Sequence, residues 1–87
     1  MNPRVTRIEA AADGKLLLRF TDGDLRSFDL APYIARGGVF ASLSDPAQLA
    51  EARVVSGSIE WPGEVDLSYD TLYLRSQPVS GMGREAA

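Results

Sequence analysis

One short segment alternates apolar residues with other residues, and it constrains the fold more than any other feature of the chain. Leu16, Leu18 and Phe20 recur at every second position, and Asp-Gly pairs stand on either side, at 13–14 and at 22–23. A period of two is typical of a strand that buries one face. Asp-Gly pairs are typical of tight turns between strands. The pattern therefore predicts a half-buried strand between two chain reversals.

The segments beyond these two turns are predicted as the neighbouring strands. Val5–Ala10 is rich enough in β-branched residues for a strand, and Leu25–Leu30 repeats the two-residue period. We therefore expect three consecutive antiparallel strands, a β-meander, with one buried face. The predicted core residues of the second hairpin are Leu16, Leu18, Phe20, Phe28 and Leu30.

The register of that hairpin follows from its charges. A tight two-residue loop sets Arg19 opposite Arg26, and like charges that face each other across two strands destabilise the pair. A three-residue loop over 21–23 sets Leu16 opposite Phe28 instead, with opposite charges at the next pair. Apolar and opposite-charge pairs stabilise a hairpin. We therefore predict the three-residue loop, with its glycine in the left-handed bulge position.

Short helices are predicted after the meander. Residues 32–36 form one helical turn that two glycines end. Asp45 before Pro46, with Gln48 three residues after Asp45, is typical of a capped helix start. This signal predicts a helix over 46–52.

The remaining apolar residues predict a small cluster and further short strands. Val39, Phe40 and Leu43 form the cluster between the two predicted helices, and Leu49 is the main buried residue of the second helix. Ser68 is positioned to cap a last helix. Three short extended segments are predicted at 53–55, 59–61 and 65–67.

Length and composition indicate a single domain. The chain has 87 residues, 45% of them apolar, which is near the small end of what folds without disulfides or metals. We predict an α+β fold: a small single domain over residues 1–76, with an antiparallel β-meander followed by short helices and further short strands. Residues 77–87 carry few bulky side chains, and we predict a disordered C-terminal tail there.

The absence of cysteine and histidine narrows the possible chemistry. No thiolate nucleophile, cysteine zinc site or disulfide is available, and the commonest general base and metal ligand are missing as well. We therefore predict that the chain is not an enzyme and that it has no catalytic, cofactor-binding or metal-binding residues. The apolar runs are too short to span a bilayer, and the N-terminus is not a signal peptide, so a cytoplasmic location without membrane contact is expected.

Four carboxylates lie close together in the second half of the chain, with no cation among them. They are Glu60, Glu64, Asp66 and Asp70. Clustered oxygens suit a hard cation such as Mg²⁺ or Ca²⁺, but the loop spacing of a calcium hand is absent. The same residues fit a docking face for a basic protein partner, or a solvated face with anions near a helix N-terminus.

Trp61, the only tryptophan, has two interpretations. Exposed tryptophan is enriched in interface hot spots, where it anchors a partner. A single tryptophan in a domain this small more often fills the core, and its alternation with Ile59 favours the core. The candidate partner-binding residues are Glu60, Trp61, Glu64, Asp66 and Asp70.

The order of motifs along residues 5–75 resembles the bacterial family called "domain of unknown function 2442". The motifs are Leu18–Gly23, Phe28–Leu30, Val39-Phe40 with Leu43 and Asp45, Ile59–Pro62, and Asp66-Leu67 with Leu72-Tyr73. The resemblance implies a small α+β domain and implies no enzymatic activity. Some relatives are fused to a helix-turn-helix domain and others lie beside candidate small toxins, which implies an antitoxin or adaptor role. Because 87 residues leave no room for it, we expect no fused DNA-binding domain in this chain.

These observations predict a non-enzymatic protein-interaction module, antitoxin-like or adaptor-like. Its acidic face is expected to bind a protein partner such as a basic toxin or effector. One alternative is a nucleic-acid-associated regulator that uses the arginines on the outer face of the meander. That alternative is disfavoured because acidic residues interleave with the basic ones, whereas nucleic-acid binding needs a clustered basic surface. Another alternative is a small acidic inhibitor that mimics nucleic acid. The sequence leaves the oligomeric state open.

Overall fold

Two antiparallel sheets and three short α-helices make up residues 2–79, the part of the chain that the structure, a computed structural model, describes. The first sheet has the strand order β1-β2-β3-β7, with β1 Val5–Ala12, β2 Lys15–Phe20, β3 Leu25–Asp29 and β7 Gln77–Pro78. The second sheet has the order β4-β5-β6, with β4 Arg53–Val55, β5 Ser58–Trp61 and β6 Val65–Leu67. The helices are α1 Ala31–Arg36, a 3₁₀ helix Gly38–Ser44, α2 Pro46–Leu49 and α3 Tyr69–Leu74. The predicted α+β class is confirmed.

The predicted register of the β2–β3 hairpin is confirmed. Leu16 lies opposite Phe28, and the backbone N–H of Phe20 donates to the carbonyl of Asp24 at 3.0 Å, which closes a three-residue loop. Gly23 has φ 88°, a conformation that L side chains rarely adopt. The structure therefore has the apolar pairing that the charges predicted.

Strand β1 forms one edge of the first sheet, and it is irregular. Its register shifts twice, between Val5 and Arg7 and between Ile8 and Ala10. The hydroxyl of Thr6, at the first shift, donates to the carbonyl of Arg19 at 3.2 Å. Bulges of this kind twist an edge strand and make it a poor template for pairing with another chain.

The core is one cluster of buried side chains that come from both sheets and from the helices. All five predicted core residues of the β2–β3 hairpin are buried. The second sheet adds Ile59, Trp61, Val65 and Leu67, and the helices add Leu43, Leu49 and Leu72. No helix in residues 2–79 has the length and apolar character needed to cross a membrane.

The sheets are joined where β1 begins. The N–H of Val5 donates to the carbonyl of Gly57, in the β4–β5 turn, at 2.9 Å. Gly57 has φ 83°, and a Cβ there would lie 2.6 Å from the Cβ of Arg4. Glycine is required at this position because any side chain would clash with Arg4 and would strain the turn.

Helix α2 is shorter than the predicted 46–52 and ends at Leu49. The predicted cap is present, since Asp45 Oδ1 accepts from the N–H of Ala47 at 3.0 Å. Gln48, however, does not complete a capping box. Its Nε2 donates to the carbonyl of Pro62 at 3.1 Å. This contact joins segments far apart in sequence, so helix signals do not reveal it.

The predicted disorder from residue 77 is wrong for Gln77–Pro78, which pair with β3. Arg26 holds this segment. Its side chain, 13% exposed, donates to Ser76 Oγ at 2.6 Å and to the Ser76 carbonyl at 2.9 Å. The guanidinium also lies over the ring of Tyr73, 4.3 Å from the centroid. The rest of the predicted tail, from residue 80 onward, lies outside the described residues.

Candidate partner-binding surface

The β5–β6 hairpin separates apolar from acidic residues by strand alternation. Ile59 and Val65 face the core, whereas Glu60 and Asp66 lie on the opposite face of the sheet. The register places Glu60 directly opposite Asp66. Two carboxylates are therefore cross-strand neighbours, an arrangement that destabilises a strand pair.

Arg53 lies on the other side of Glu60, because β4 pairs with β5 in a register that sets Arg53 opposite Glu60. The segment that contains the four carboxylates has no cation of its own, yet the sheet places one beside it. Within residues 2–79 Arg53 forms no ion pair within 4 Å, since the three pairs found there are Arg7–Glu9, Arg19–Glu9 and Arg26–Asp24. Arg53 therefore offsets part of the charge of Glu60 without forming an ion pair, and Asp66, at the end of the row, has no cation opposite it.

Glu64 lies in the turn between the two strands. It has φ 64°, and the preceding Gly63 has φ 90°, so both residues adopt left-handed conformations. Glu64 is exposed. An open depression of about 400 Å³ is lined by Glu60, Trp61, Glu64, Val65 and Asp66. We call Glu60, Glu64 and Asp66 the acidic surface.

The acidic surface differs from most other carboxylates of the protein in having no partner. In residues 2–79 no hydrogen bond and no ion pair engages the side chains of Glu60, Glu64 or Asp66. Asp13 and Glu51 share this property, but they lie in a turn and after α2, away from the depression. Three carboxylates without partners around one depression, two of them exposed and Glu60 half-buried, attract cationic groups from solution.

Asp70 is not part of this depression. It lies in the first turn of α3, and its Oδ1 accepts from Asn2 Nδ2 at 2.9 Å. The structure therefore brings together four of the five candidate residues and leaves Asp70 in the position expected for an anion near a helix N-terminus. No group of three potential metal ligands converges in the described part of the chain.

Trp61 is a core residue, as its alternation with Ile59 favours. It is 2% exposed, and its indole Nε1 donates to the carbonyl of Leu49 at 3.1 Å. This bond satisfies the only polar atom of the side chain and fixes β5 against the end of α2. The inclusion of Trp61 among the partner-contacting residues is therefore corrected. Trp61 packs in the core beneath the acidic surface.

Charges on the first sheet are partly matched by ion pairs. On the outer face of the first sheet, Arg7 lies opposite Arg19, and Glu9 reaches both, at 3.7 Å and 3.4 Å. Sequence spacing did not indicate this contact, because the bulges of β1 decide where Glu9 lies. A single carboxylate thus offsets part of the positive charge that a nucleic-acid-binding face would need.

At the β2–β3 loop, carboxylates hold the C-terminal segment in place. The hydroxyl of Tyr73 donates to Asp22 Oδ2 at 3.1 Å, and Arg26 pairs with Asp24 at 3.2 Å. Burial raises the pKa of the Tyr73 phenol above its ordinary value, and the hydrogen bond and negative charge of Asp22 raise this pKa further. The neutral phenol is therefore the stable donor.

Sequence analysis missed one exposed apolar residue. Val39 was expected in a cluster with Phe40 and Leu43, but it is 59% exposed while Leu43 is buried. These residues lie in a 3₁₀ helix, and its three-residue period puts Phe40 and Leu43 on one face and Val39 on another. A helical period of three, had it been recognised, would have separated Val39 from the other two.

The described residues form a small α+β domain with an acidic surface. No single motif among them identifies an enzymatic or a binding role. The family model described as "Protein of unknown function (DUF2442)" matches residues 5–78. The chain belongs to this family. No curated protein and no solved structure matches it.

Proposed function

We propose that this protein is a non-enzymatic, cytoplasmic interaction module of the antitoxin or adaptor kind. Its acidic surface binds a protein partner that presents basic side chains, such as a toxin or an effector. The observation that carries this proposal is the Glu60–Asp66 pair, two like charges directly opposite each other, with Arg53 opposite Glu60 only and with no ion pair or hydrogen bond to either carboxylate in residues 2–79. A cationic group from a partner relieves this repulsion on binding.

Such a surface acts mainly on the rate of association. Like-signed charges around an open depression steer a partner of opposite charge toward it, and the effect weakens as salt screens the charges. The buried Trp61 and Val65 beneath the acidic surface keep the hairpin rigid, so the carboxylates are presented without a large ordering cost.

The nucleic-acid alternative is weaker on structural grounds, since Glu9 contacts both Arg7 and Arg19 on the outer face of the meander. An inhibitor that mimics nucleic acid would use the same acidic surface as the proposed interaction module. The two differ in the partner, because a mimic would bind a DNA-binding protein and would compete with oligonucleotides.

The proposal is tested by pull-down of the native partner with the full chain, followed by measurement of association rates. The variant Glu60→Lys/Glu64→Lys should slow association by about tenfold or more at low salt, and should do so less at high salt. Glu51→Lys is the control, since it reverses an exposed charge that likewise has no partner in residues 2–79. A double variant that associates as fast as the parent, with the same salt dependence, would mean that the acidic surface is only solvated. Competition by oligonucleotides would favour the mimic instead.

A further inference from the structure

The dipeptide Asp-Gly occurs twice in the chain, at 13–14 and at 22–23, and both aspartates are exposed in turns between strands. In this dipeptide the backbone nitrogen of the glycine can attack the side-chain carboxyl carbon of the aspartate, because glycine has no side chain that hinders the approach. The product is a five-membered succinimide ring. The reaction therefore depends on whether the carboxyl group and the glycine N–H are free to move.

The pair at 22–23 is held by hydrogen bonds on both reacting groups. Asp22 Oδ1 accepts from the N–H of Asp24 at 2.9 Å, and Asp22 Oδ2 accepts from the hydroxyl of Tyr73 at 3.1 Å. The N–H of Gly23 donates to the carbonyl of Phe20 at 2.9 Å. Attack by the Gly23 nitrogen therefore requires these bonds to open first.

The pair at 13–14 lacks these contacts. Within residues 2–79 neither the carboxylate of Asp13 nor the N–H of Gly14 has a hydrogen-bond partner. An open depression of about 490 Å³ lies beside the turn, with Asp13, Gly14, Ser44 and Pro46 in its lining. The depression leaves room for the ring and gives water access to it. The same dipeptide is thus free in one turn and restrained in the other.

We propose that Asp13 is a site of spontaneous isomerisation to isoaspartate and that hydrogen bonds protect Asp22 from the same reaction. The nitrogen of Gly14 bonds to the side-chain carboxyl carbon of Asp13, and the carboxyl OH leaves with the amide proton as water. Water then adds to the main-chain carbonyl carbon of Asp13, and the bond between that carbon and the nitrogen breaks. The chain afterwards runs through the former side chain, with one additional CH₂ in the backbone and no change in mass.

The modification alters one end of the first sheet and does not involve the acidic surface. The turn at 13–14 is a two-residue turn with φ 55° and φ 72°, and the pairing of Ala12 with Lys15 closes it. A longer backbone does not keep the geometry of such a turn. The carbonyl of Gly14 also accepts from the N–H of the buried Leu30 at 2.8 Å. We therefore expect the isomerised protein to be less stable, because a buried N–H loses its partner.

The test compares the two Asp-Gly pairs in the full chain, incubated at neutral pH in buffer and in urea. Proteolytic digestion and chromatography separate the isoaspartyl peptides, which an isoaspartyl methyltransferase with labelled S-adenosylmethionine identifies. In urea the two pairs should react at comparable rates, since the dipeptide is the same. Folding should slow the reaction at Asp22 about tenfold or more, because three hydrogen bonds must open, and should slow it much less at Asp13. Equal slowing at the two pairs, or greater slowing at Asp13, would overturn the proposal.

Two variants check the assignment. Asp13→Glu keeps the charge but would need a larger and slower ring closure, so the isoaspartyl product at 13–14 should disappear while that at 22–23 is unchanged. Tyr73→Phe removes the donor to Asp22 Oδ2 and should speed the reaction at Asp22 about fivefold, the effect of losing one hydrogen bond. It should leave Asp13 unaffected. Circular dichroism checks that both variants are folded. A folded Tyr73→Phe with the parent's rate at Asp22 would overturn the protection by hydrogen bonds.

Discussion

Each of the two sheets places two like charges directly opposite each other, and the sheets differ in whether an opposite charge forms ion pairs with them. In the first sheet Arg7 lies opposite Arg19, but Glu9 contacts both arginines, and Arg26 joins Asp24 to the C-terminal segment. In the second sheet Glu60 faces Asp66, and neither has a partner in the described residues. This difference supports the proposal that the second sheet, rather than the first, contacts other molecules.

The largest effect should come from the core of the first sheet. Phe28 is fully buried, and its ring lies 5.6 Å from that of Tyr33. Phe28→Ala should lower the free energy of unfolding by about 3–5 kcal/mol, enough to unfold a domain this small. Val55→Ala, at a position 38% exposed in the second sheet, is the control and should cost less than about 1 kcal/mol. Urea unfolding measures both, and a loss under 1 kcal/mol for Phe28→Ala would contradict the hairpin packing.

A smaller effect should follow from removing a charge network in the first sheet. Arg26→Ala deletes the bonds to Ser76 and Asp24 and should cost about 1.5–3 kcal/mol, the range for hydrogen bonds to charged groups. Arg53→Ala in the second sheet should cost less than about 1 kcal/mol, since exposed charges contribute little. Equal losses of unfolding free energy for the two variants in urea would contradict the difference between the two sheets.

Carboxylates in the two regions should respond to neutralisation with opposite signs. Asp66→Asn removes the repulsion with Glu60 and should raise the free energy of unfolding by about 0.2–1 kcal/mol. Asp22→Asn weakens the hydrogen bond from Tyr73 and should lower it. The comparison is made by urea unfolding at neutral pH. A destabilised Asp66→Asn would show that the second sheet also uses its carboxylates for stability.

The smallest effect is confined to alkaline pH. The pKa of Tyr73 in the folded protein is raised above its value of 10.0 in the unfolded chain, chiefly by burial and then by Asp22. Stability that is fully present below pH 10.0 is therefore lost as the pH rises through the folded pKa. Urea midpoints should fall more steeply in this range for the parent than for Tyr73→Phe. Tyr69→Phe is the control for loss of a phenol, and it should follow the parent.

The register of the first hairpin was predictable because one alternative placed two arginines face to face. The same arithmetic applies to the second sheet, where a two-residue turn at 56–57 sets Arg53 opposite Glu60. The pairing of Arg53 with Glu60 follows from the sequence only if the loop has two residues, and the Ser-Gly-Ser turn signal does not define the loop length. The cation beside the acidic surface was therefore missed.

Contacts between distant segments explain the other differences. The side chain of Gln48 bonds to Pro62 rather than to the N-cap of α2, and Arg26 bonds to Ser76 beside the C-terminal strand. Local propensity carries no information on either bond. The burial of Trp61, by contrast, followed from simple alternation within β5.

The most direct test of the contrast between the sheets is the association rate of Asp66→Asn with the partner captured by the full chain, measured at low and at high salt. The variant should associate more slowly than the parent at low salt and at nearly the same rate at high salt. It should do so while being at least as stable as the parent. An unchanged rate at both salt concentrations would contradict the assignment of the second sheet to binding.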